Sequence, residues 1–466
     1  MRNLPMTTNF ALIYTIILTV SNVGVVVSGD QKTPGVLDFV QLIWRHGDRT
    51  PSEGTFPTDV HNGLETWPQG WGELTTIGQR RHYYLGHWLK KRYGNTIVST
   101  EYRQNEIYVV STSYNRTIMS ALANLAGFYP PSPNTTFLPN ITWSAIPVHS
   151  RPREEDPTLW MDAPCPTVDQ LTADYIKSSA FQDFLATPWV KNLTTLLSAK
   201  TTLNLTNTYE IWKVYDPLFC EYHHNSTHQW PDWMSAALFR DVLRLYDASL
   251  WHLYPTVEIQ RLRGGLLFGE LGSRMQARAT KDWSRLSPDL KYWVYSAHDT
   301  TMLALLMNLG AFNGLTPPYA SVLMFELYRN RTDPNQYYVE LWYQNSTEGP
   351  LPYGSPYRLE IGDCGSPCPL ERFVDLSARR TPADWQTECG LVTDAARADH
   401  WKRAACGLGI AMAIVTLLSA TIIVLLCRQL KAKENKLNGY TRVSVTEPSD
   451  LFISTDPDPS STASSS

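Results

Sequence analysis

The sequence has no marked excess of charge of either sign and no internal repeat. It contains 40 lysine and arginine residues against 44 aspartate and glutamate residues, and charged residues make up only 18% of the 466. Without a basic excess, nucleic acid is not an expected partner. Without a fixed repeat period, solenoid and propeller folds are excluded. Hydrophobic residues are plentiful at 43%, so the chain can bury a large core and global disorder is excluded.

Two long stretches contain no charged residue, and they predict how the chain meets a membrane. The first, Phe10–Val27, is mostly apolar and is followed by the small residues Ser28 and Gly29. A short apolar core that ends in small residues is typical of a secretory signal peptide. We therefore predict a signal peptide over residues 1–29, cleaved near Gly29, with an uncleaved amino-terminal anchor as the alternative.

The second uncharged stretch, Ala404–Cys427, is long enough to cross about 30 Å of hydrocarbon as a helix. A buried core helix is the alternative, but core helices of this length normally contain charged residues. Lysine and arginine are more frequent after the stretch than before it, which favours a cytoplasmic carboxyl end. We predict a single-pass type I protein, with residues 30–403 lumenal or extracellular, 404–427 transmembrane, and 428–466 a disordered cytoplasmic tail.

Cysteine is scarce, and the cysteines and glycosylation sequons agree with this topology. Only seven cysteines occur, of which five lie in residues 30–403, so one thiol is left over if the others form disulfides. All eight Asn-x-Ser/Thr sequons lie in the same segment, which fits a lumenal or extracellular location. We expect glycans on seven of them: Asn134, Asn140, Asn192, Asn204, Asn225, Asn330 and Asn345.

Three segments share a pattern of an apolar strand, a polar turn and a helix. The strands are Val36–Trp44, Ile107–Val110 and Tyr292–Ser296. Their continuous β-branched and aromatic residues predict parallel strands that are buried on both faces of a sheet. Because ligands of such sheets bind beyond the carboxyl ends of the strands, the three polar turns are expected to meet in one crevice.

Other segments complete the predicted fold. We predict a helix over Thr75–Tyr93 and a hairpin formed by Ser321–Tyr328 and Tyr337–Tyr343. Residues of about 165–285 look helical and irregular, and are predicted to form an insertion that caps the sheet. The predicted fold class is α/β: a doubly wound, mainly parallel sheet flanked by helices, with a smaller helical cap domain and one carboxyl-terminal transmembrane helix.

The turn after the first strand, Arg45-His46-Gly47-Asp48-Arg49, is the most informative motif. Guanidinium groups stay charged and bind phosphate through two hydrogen bonds. Neighbouring cations also lower the pKa of an imidazole, so that it stays unprotonated in mild acid and can attack phosphorus. An ordinary arginine-rich turn around a hydrogen-bonded histidine is the alternative for this motif taken alone.

The turns after the other two strands supply complementary groups. An imidazole at His298 can donate a hydrogen bond to a phosphate oxygen, and a carboxyl group at Asp299 can protonate a leaving alkoxide. Arg116 adds a third guanidinium at a helix amino terminus, where anions already bind favourably. Together with the first motif, these residues predict a site that transfers a phosphoryl group.

These motifs resemble those of the histidine acid phosphatases, a branch of the phosphoglycerate-mutase-like superfamily, and most of all the lysosomal and prostatic acid phosphatase group. The family carries Arg-His-Gly-x-Arg-x-Pro and a downstream His-Asp, and the likeness spans Val36 to Cys389. It implies that His46 is the nucleophile that becomes phosphohistidine and that Asp299 is the general acid. It further implies that the phosphoryl oxygens are held by Arg45, Arg49, Arg116 and His298. No metal or other cofactor is expected, because the guanidiniums supply the positive charge.

The resemblance also implies disulfides between Cys165 and Cys389 and between Cys364 and Cys368. Cys220 is then the odd thiol, since the cysteine that pairs with this position in the relatives is absent here. A protected place on a helix suits an unpaired cysteine better than a catalytic role, which needs an activating cationic setting.

Further departures from the family surround the third guanidinium. Ser113 stands where the relatives usually carry aspartate, and Asn115 forms a sequon directly beside Arg116. Because a glycan there would obstruct the cleft, we predict that folding buries Asn115 and leaves it unmodified. A solvated, glycosylated loop rather than a metal site is expected at three clustered histidines, His223, His224 and His228.

The sequence therefore predicts a phosphomonoesterase that hydrolyses small phosphate monoesters at acid pH. One alternative is a narrower phosphatase for lysophosphatidic acid or inositol polyphosphates. Another is a catalytically silent ectodomain that binds a ligand, although such a protein is expected to have lost one of the six site residues. By resemblance a homodimer is expected. Tyr440 and Val443 match a sorting signal that binds clathrin adaptors, which would place the protein in lysosomal or endosomal membranes or at the cell surface.

Overall fold

The computed structural model describes residues 35–133, 135–141, 143–205, 210–347, 353–392 and 394–440. The predicted signal peptide, the sequon residue Asn134 and the sorting residue Val443 lie outside the described residues. The chain forms two units that divide after Leu391, and each is treated by itself.

One mixed sheet forms the centre of the first unit. Its strands are β1 (Gly35–Arg45), β2 (Ile107–Ser111), β3 (His149–Ser150), β4 (Tyr292–Ala297), β5 (Val322–Asn330), β6 (Tyr337–Gln344), β7 (Tyr357–Leu359) and β8 (Cys368–Pro369). The order is β3-β2-β4-β1-β5-β6-β7, and β8 pairs with β6. The pairs that join β3, β2, β4 and β1 are parallel, whereas β5 to β8 pair antiparallel. The α/β class is confirmed, but the sheet is only half parallel, because short connections such as the turn between β5 and β6 leave no room for a crossover helix.

The helices alternate with these strands or follow them. They are α1 (Thr76–Tyr93), α2 (Asn115–Phe128), α3 (Pro166–Ile176), α4 (Ser179–Ala186), α5 (Pro188–Thr201), α6 (Trp212–His223), α7 (Ala236–Leu250), α8 (Val257–Thr280), α9 (Asp299–Asn308), α10 (Leu370–Arg380), α11 (Trp385–Glu388) and α12 (Asp394–Tyr440). The predicted start of α1 is confirmed, because the Thr75 hydroxyl accepts a hydrogen bond from the Gly78 amide and caps the helix.

Helices cover both faces of the sheet, as expected for a doubly wound fold. Side chains alternate along β1, so that Phe39 and Ile43 point to one face while Leu42 and Trp44 point to the other. The first pair packs in a core with α8, α9 and α10, and the second pair packs in a core with α1 and α2. The carboxyl ends of the parallel strands are thereby left free of covering helices and open toward the cap.

The cap is smaller than the predicted insertion. Helices α5, α6 and α7 build a separate apolar core that includes Val190, Val214 and Val242. The predicted insertion, residues 165–285, also contains α8, but this helix buries Phe268 among the residues of the sheet. The assignment of α8 to the cap was therefore wrong, because the apolar face of α8 packs against the sheet.

The structure shows two disulfides in this unit and the exposure of most of its sequon asparagines. Cys165–Cys389 and Cys364–Cys368 form disulfides, as the resemblance implied. The asparagines of the predicted glycosylation sites that the structure describes are exposed or half-buried: Asn140, Asn192, Asn204, Asn225, Asn330 and Asn345. Glycosylation at these sites stays a prediction.

In the second unit the structure describes helix α12. Within it, Ala405–Lys436 is long and apolar enough to cross a membrane. The helix extends beyond the predicted span of residues 404–427, so residues 428–440 are helical and not the disordered tail that the sequence suggested. The extension has a simple cause: the flanking residues are mainly lysine, glutamate, glutamine, leucine and alanine, which all favour helices.

Helices α1 and α2 pack closely because glycine stands at both contact points. A Cβ atom at Gly86 would overlap the carbonyl oxygen of Asn124, and one at Gly127 would overlap that of Tyr83. Since α2 positions Arg116 and α1 supports the turn after β1, this contact also holds the two turns in place.

We expect Gly127→Ala to lower the free energy of unfolding by about 1–3 kcal/mol, because the added methyl group forces the two backbones apart. Thermal unfolding of the full-length protein in detergent would measure the loss. Gly354→Ala is the matched control, since a Cβ atom there meets only the Ser346 side chain at an ordinary 3.5 Å. Equal melting temperatures for the two variants would contradict the argument.

Candidate active site

The predicted site residues come together at the carboxyl edge of the parallel strands. The amide of His46, just past β1, donates to the carbonyl of Ala297 at the end of β4 (3.0 Å). The amide of Thr112, just past β2, donates to the carbonyl of Ser296 (3.1 Å). These bonds continue the register of the strands into the turns. As a result, the rings of His46 and His298 have centroids only 5.5 Å apart.

The turn after β1 is clamped onto the first turn of α1. The Thr75 amide donates to the carbonyl of Asp48, and a Cβ atom at Gly47 would overlap the backbone of Gly78. The fully buried Asp48 carboxylate is held by Arg81, through a hydrogen bond of 2.7 Å and an ion-pair contact of 2.6 Å. Only glycine permits this approach, so Gly47 has a structural role in the motif.

The imidazole of His46 is held in the tautomer that a nucleophile needs. Its Nδ1–H donates to the carbonyl of Gly47 at 2.8 Å, and since a carbonyl only accepts, the Nε2 atom carries the lone pair. Burial, followed by the nearby Arg116, Arg45 and Arg49, holds the pKa of His46 well below its usual value. The ring is therefore uncharged in mild acid and can attack an electrophile.

Arg45 lies fully buried between an acid and an aromatic ring. Its Nη2 atom pairs with the Oδ2 atom of Asp299 at 2.7 Å, and its Nη1 atom donates to the carbonyl of Pro317, also at 2.7 Å. Its guanidinium carbon lies 4.2 Å from the centroid of the Tyr319 ring. The cation thus has one partner that an incoming anion can displace, Asp299, and two partners that stay.

Arg49 connects the site to the cap. Its guanidinium makes two bonds to the carboxylate of Asp216 on α6, of 2.8 and 3.1 Å. The same carboxylate accepts a hydrogen bond from the Ser52 amide at 2.7 Å. A buried cation without a counter-charge would be costly, so the cap contributes the group that allows Arg49 to stand beside two further arginines.

Arg116 carries an uncompensated charge. It lies in the first turn of α2, and within the described residues it forms no salt bridge. Its guanidinium carbon lies 4.3 Å from the ring centroid of Tyr114. Burial, followed by repulsion from Arg49, lowers the pKa of Arg116 to about 10, so it remains protonated in acid. A site with this excess of positive charge is suited to an anion.

His298 and Asp299 lie where β4 gives way to α9. The Nε2 atom of His298 shares a hydrogen bond of 2.9 Å with the Thr112 hydroxyl, which positions the ring. Burial and the three arginines hold the pKa of His298 well below its usual value. Asp299 accepts a bond from the Thr300 amide at 2.8 Å, and its side chain is 20% exposed, so it can exchange protons with the cleft.

Three positioning residues were not predicted: Thr112, Asp216 and Tyr319. Tyr319 lies against the rings of both His46 and Phe219 and under the guanidinium of Arg45. No catalytic motif in the sequence marks the segment that contains Tyr319. Contacts of this kind join segments far apart in the chain, so no local pattern could reveal them.

Two predictions about the surroundings were wrong. Asn115 is not buried: it is exposed at the start of α2, and its side-chain amide donates to Glu73 at 3.0 Å. His223 and His224 do not lie in a solvated loop, because α6 continues to His223, whose side chain is only 7% exposed, and His224, which follows the helix, is buried. The neighbouring His228 stacks on Trp67 with ring centroids 3.6 Å apart. Among the described residues, no cluster that could hold a metal ion is found.

Cys220 is the buried odd thiol, as expected, but it lies closer to the site than the sequence suggested. Its Sγ atom is 3.7 Å from an Nη1 atom of Arg49 and 3.5 Å from the hydroxyl of Tyr319. Burial, followed by repulsion from Asp216, raises the pKa of the thiol well above its usual value. The thiol therefore stays protonated and packs as a small apolar group.

A buried pair of carboxyl groups lies between the cap and the loop that follows the motif. Glu221 on α6 and Asp59 in the loop are both buried. Burial, followed by the nearby Asp59 carboxyl group, raises the pKa of Glu221 to about 10. Glu221 is therefore protonated in acid. At a higher pH, where Glu221 must ionise, it destabilises the folded state.

Comparisons with known proteins agree on one family. A model of the histidine phosphatase superfamily (branch 2) matches residues 36–344. Prostatic acid phosphatase of Homo sapiens is 39% identical over 356 residues, which cover 76% of this chain and 88% of the relative. Lysosomal acid phosphatase of Homo sapiens is 36% identical over 412 residues, covering 88% and 91%. The solved phytase of Citrobacter braakii is similar in fold, with a TM-score of 0.59, 17% identity, and coverage of 76% of this chain and 99% of the phytase.

We expect Tyr319→Leu to weaken orthophosphate binding by about three- to thirtyfold, because it removes the ring under Arg45. Tyr319→Phe keeps the ring and is expected to keep most of the affinity. Isothermal titration calorimetry of the full-length protein in detergent measures both, and circular dichroism checks that each variant is folded. If the two variants lose affinity equally, the hydroxyl rather than the ring positions Arg45.

We expect Glu221→Gln to become increasingly stabilising relative to wild type as pH rises from 5 to 8. The raised pKa of Glu221 contributes stability that is fully present below its unfolded-state value and is lost as pH rises toward the folded-state value of about 10. Buried histidines titrate in the opposite sense, so the difference in melting temperature between variant and wild type is the quantity to measure. Exposed Glu360→Gln is the control, and a pH-independent difference for Glu221→Gln would refute the assignment.

Proposed function

Since the chain belongs to branch 2 of the histidine phosphatase superfamily, we propose that it hydrolyses phosphate monoesters at acid pH through a covalent phosphohistidine on His46. The acid phosphatase relatives, 35–39% identical over most of the chain, make it an acid phosphatase. The observation that carries the mechanism is the uncharged, tautomer-locked His46 beside three guanidiniums.

In the first step the phosphoryl group is bound by the cationic cluster. Its oxygens lie among Arg45, Arg49 and Arg116, with His298 as an additional hydrogen-bond donor. A phosphoryl oxygen replaces Asp299 as the partner of Arg45, and Asp299 is then free to take up a proton from solvent. The Nε2 atom of His46 attacks phosphorus, the ester P–O bond breaks, and the leaving oxygen takes the proton of Asp299.

In the second step water attacks the phosphohistidine. Asp299, now a carboxylate, accepts a proton from the water while the P–N bond breaks. Orthophosphate leaves and His46 is regenerated. Charge balance throughout comes from the guanidiniums, which surround the three phosphoryl oxygens in both steps.

The acid optimum has a structural basis. Because the pKa of His46 is held well below its usual value, the nucleophile stays unprotonated at a pH where an ordinary histidine is charged. The proton donor, in contrast, must be protonated, which acid favours. Activity is therefore expected to persist in acid until the pH falls below the lowered pKa of His46.

The alternatives differ in how well the site supports them. The silent ectodomain is disfavoured, because all six site residues are present and converge. The six site residues do not distinguish lysophosphatidic acid or inositol polyphosphates from other phosphate monoesters, and the phytase similarity concerns the fold alone. The lysosomal relatives and the apolar helix fit a single-pass lysosomal membrane protein, and we propose the type I orientation. The homodimer and the clathrin-adaptor signal stay predictions.

We expect His46→Ala to lower the rate of p-nitrophenyl phosphate hydrolysis at least about a thousandfold. The same variant should not be labelled by a ³²P-phosphate ester when the reaction of the full-length protein is stopped without acid.

We expect Asp299→Asn to lower the rate of propyl phosphate hydrolysis by about 10²–10⁴-fold. The rate of p-nitrophenyl phosphate hydrolysis should fall less, because nitrophenolate leaves without a proton. Exposed Asp183→Asn is the control and should match wild type. Labelling that survives in His46→Ala would refute the proposed nucleophile.

A further inference from the structure

An exposed arginine, Arg153, lies at the rim of the site. β3 runs parallel to β2, so its carboxyl end points to the same edge of the sheet as the catalytic turns. The chain that follows β3 carries Arg151 and Arg153, which are both exposed. The sequence analysis attached no role to either residue, and the proposed mechanism uses neither.

Tyr114 connects Arg153 to the catalytic cluster. The guanidinium carbon of Arg153 lies 4.7 Å from the centroid of the Tyr114 ring, and that of Arg116 lies 4.3 Å from the same centroid. The two cations are therefore no more than about 9 Å apart. The edge of the ring also meets His298, with centroids 5.0 Å apart. One side chain thus contacts two phosphate-binding residues and the exposed arginine.

The charge of Arg153 is held in place without being neutralised. The guanidinium is oriented by its contact with the Tyr114 ring, and the interaction with Tyr114 raises the pKa of Arg153. Glu154 and Glu155 follow it on the same short turn, but both are exposed, and Arg153 forms no salt bridge within the part of the chain that the structure describes. An oriented guanidinium that no carboxylate occupies is a place for an anion.

We propose that Arg153, oriented by Tyr114, is a second anion subsite that binds a phosphate or carboxylate group carried by the leaving group of the substrate. The inference rests on the proposed function, in which Arg116 and the residues around it hold the phosphoryl group that reacts. It assigns the preferred substrates to one class: phosphate monoesters with a second anionic group a few bonds from the ester. A substrate with a single anionic group occupies the catalytic cluster and leaves Arg153 unused.

The test compares two substrates that differ only in the second anion, propyl phosphate and propane-1,3-diyl bisphosphate. Phosphate release by the full-length protein in detergent gives kcat/KM for each substrate. The quantity to compare is the ratio of the bisphosphate value to the monophosphate value, after correction for the two equivalent ester groups of the bisphosphate. Arg153→Gln is expected to lower this ratio about tenfold, because a charge-assisted hydrogen bond is lost at a partly screened site. The wild-type ratio should also fall with rising salt.

Arg151→Gln is the matched control. It removes the same charge from the same exposed segment, two residues away, but Arg151 has no contact with the Tyr114 ring among those that the structure describes. We expect this variant to leave the ratio within twofold of wild type. An equal fall of the ratio in both variants would overturn the proposal, because it would reflect the general charge of the rim. An unchanged ratio in Arg153→Gln would overturn it as well.

A binding measurement separates this proposal from the proposed function. In the full-length His46→Ala background, calorimetry compares the dissociation constants of the same two compounds with and without Arg153→Gln. The subsite predicts that the substitution weakens bisphosphate binding about tenfold and propyl phosphate binding much less. If the wild type hydrolyses neither compound but this difference is seen, the proposed function fails and the subsite stands. If hydrolysis is normal and the difference is absent, the subsite fails alone.

Discussion

Three guanidinium groups stand around one uncharged imidazole, and much of the structure serves to hold them there. Like charges repel strongly when buried, so each cation needs either an opposite charge or the face of an aromatic ring. Arg45 has Asp299 and Tyr319, Arg49 has Asp216, and Arg116 has Tyr114. The repulsion that remains is useful, because it keeps the imidazole unprotonated and leaves the cluster with charge for a phosphoryl group to neutralise.

This requirement explains the division of labour between sheet and cap. The sheet brings the turns together through backbone hydrogen bonds, which are insensitive to the charge of the side chains. It cannot by itself supply a counter-charge for Arg49, which comes from Asp216 on α6. The cap therefore helps to hold the arginine cluster in place. The buried carboxyl groups of Glu221 and Asp59 at the same boundary tie the stability of this arrangement to acid pH.

The errors of the sequence-based predictions have a common origin. Asn115 was placed by a functional argument, that a glycan there would obstruct the cleft, and α8 was placed by the local character of its segment. In both cases the outcome depended on what packs against the segment. Asn115 begins α2 with its side chain outward, toward Glu73, and α8 buries Phe268 against the sheet instead of joining the cap. Periodicity indicates that a helix has an apolar face, but the partner of that face is set by topology.

The sequence by itself determined the strand–turn–helix units, the residues at their tips and the family, because strand and helix periods, glycine turns and the Arg-His-Gly-x-Arg motif are local properties of the chain. Only the tertiary structure decided the environment of those tips: Asp216 beside Arg49, Tyr319 under Arg45, and Tyr114 between Arg116 and Arg153. The physical reason is that electrostatic and aromatic contacts depend on distances of a few ångströms between segments that lie tens to hundreds of residues apart. Such distances exist only once the strands have paired and the cap has packed onto the sheet.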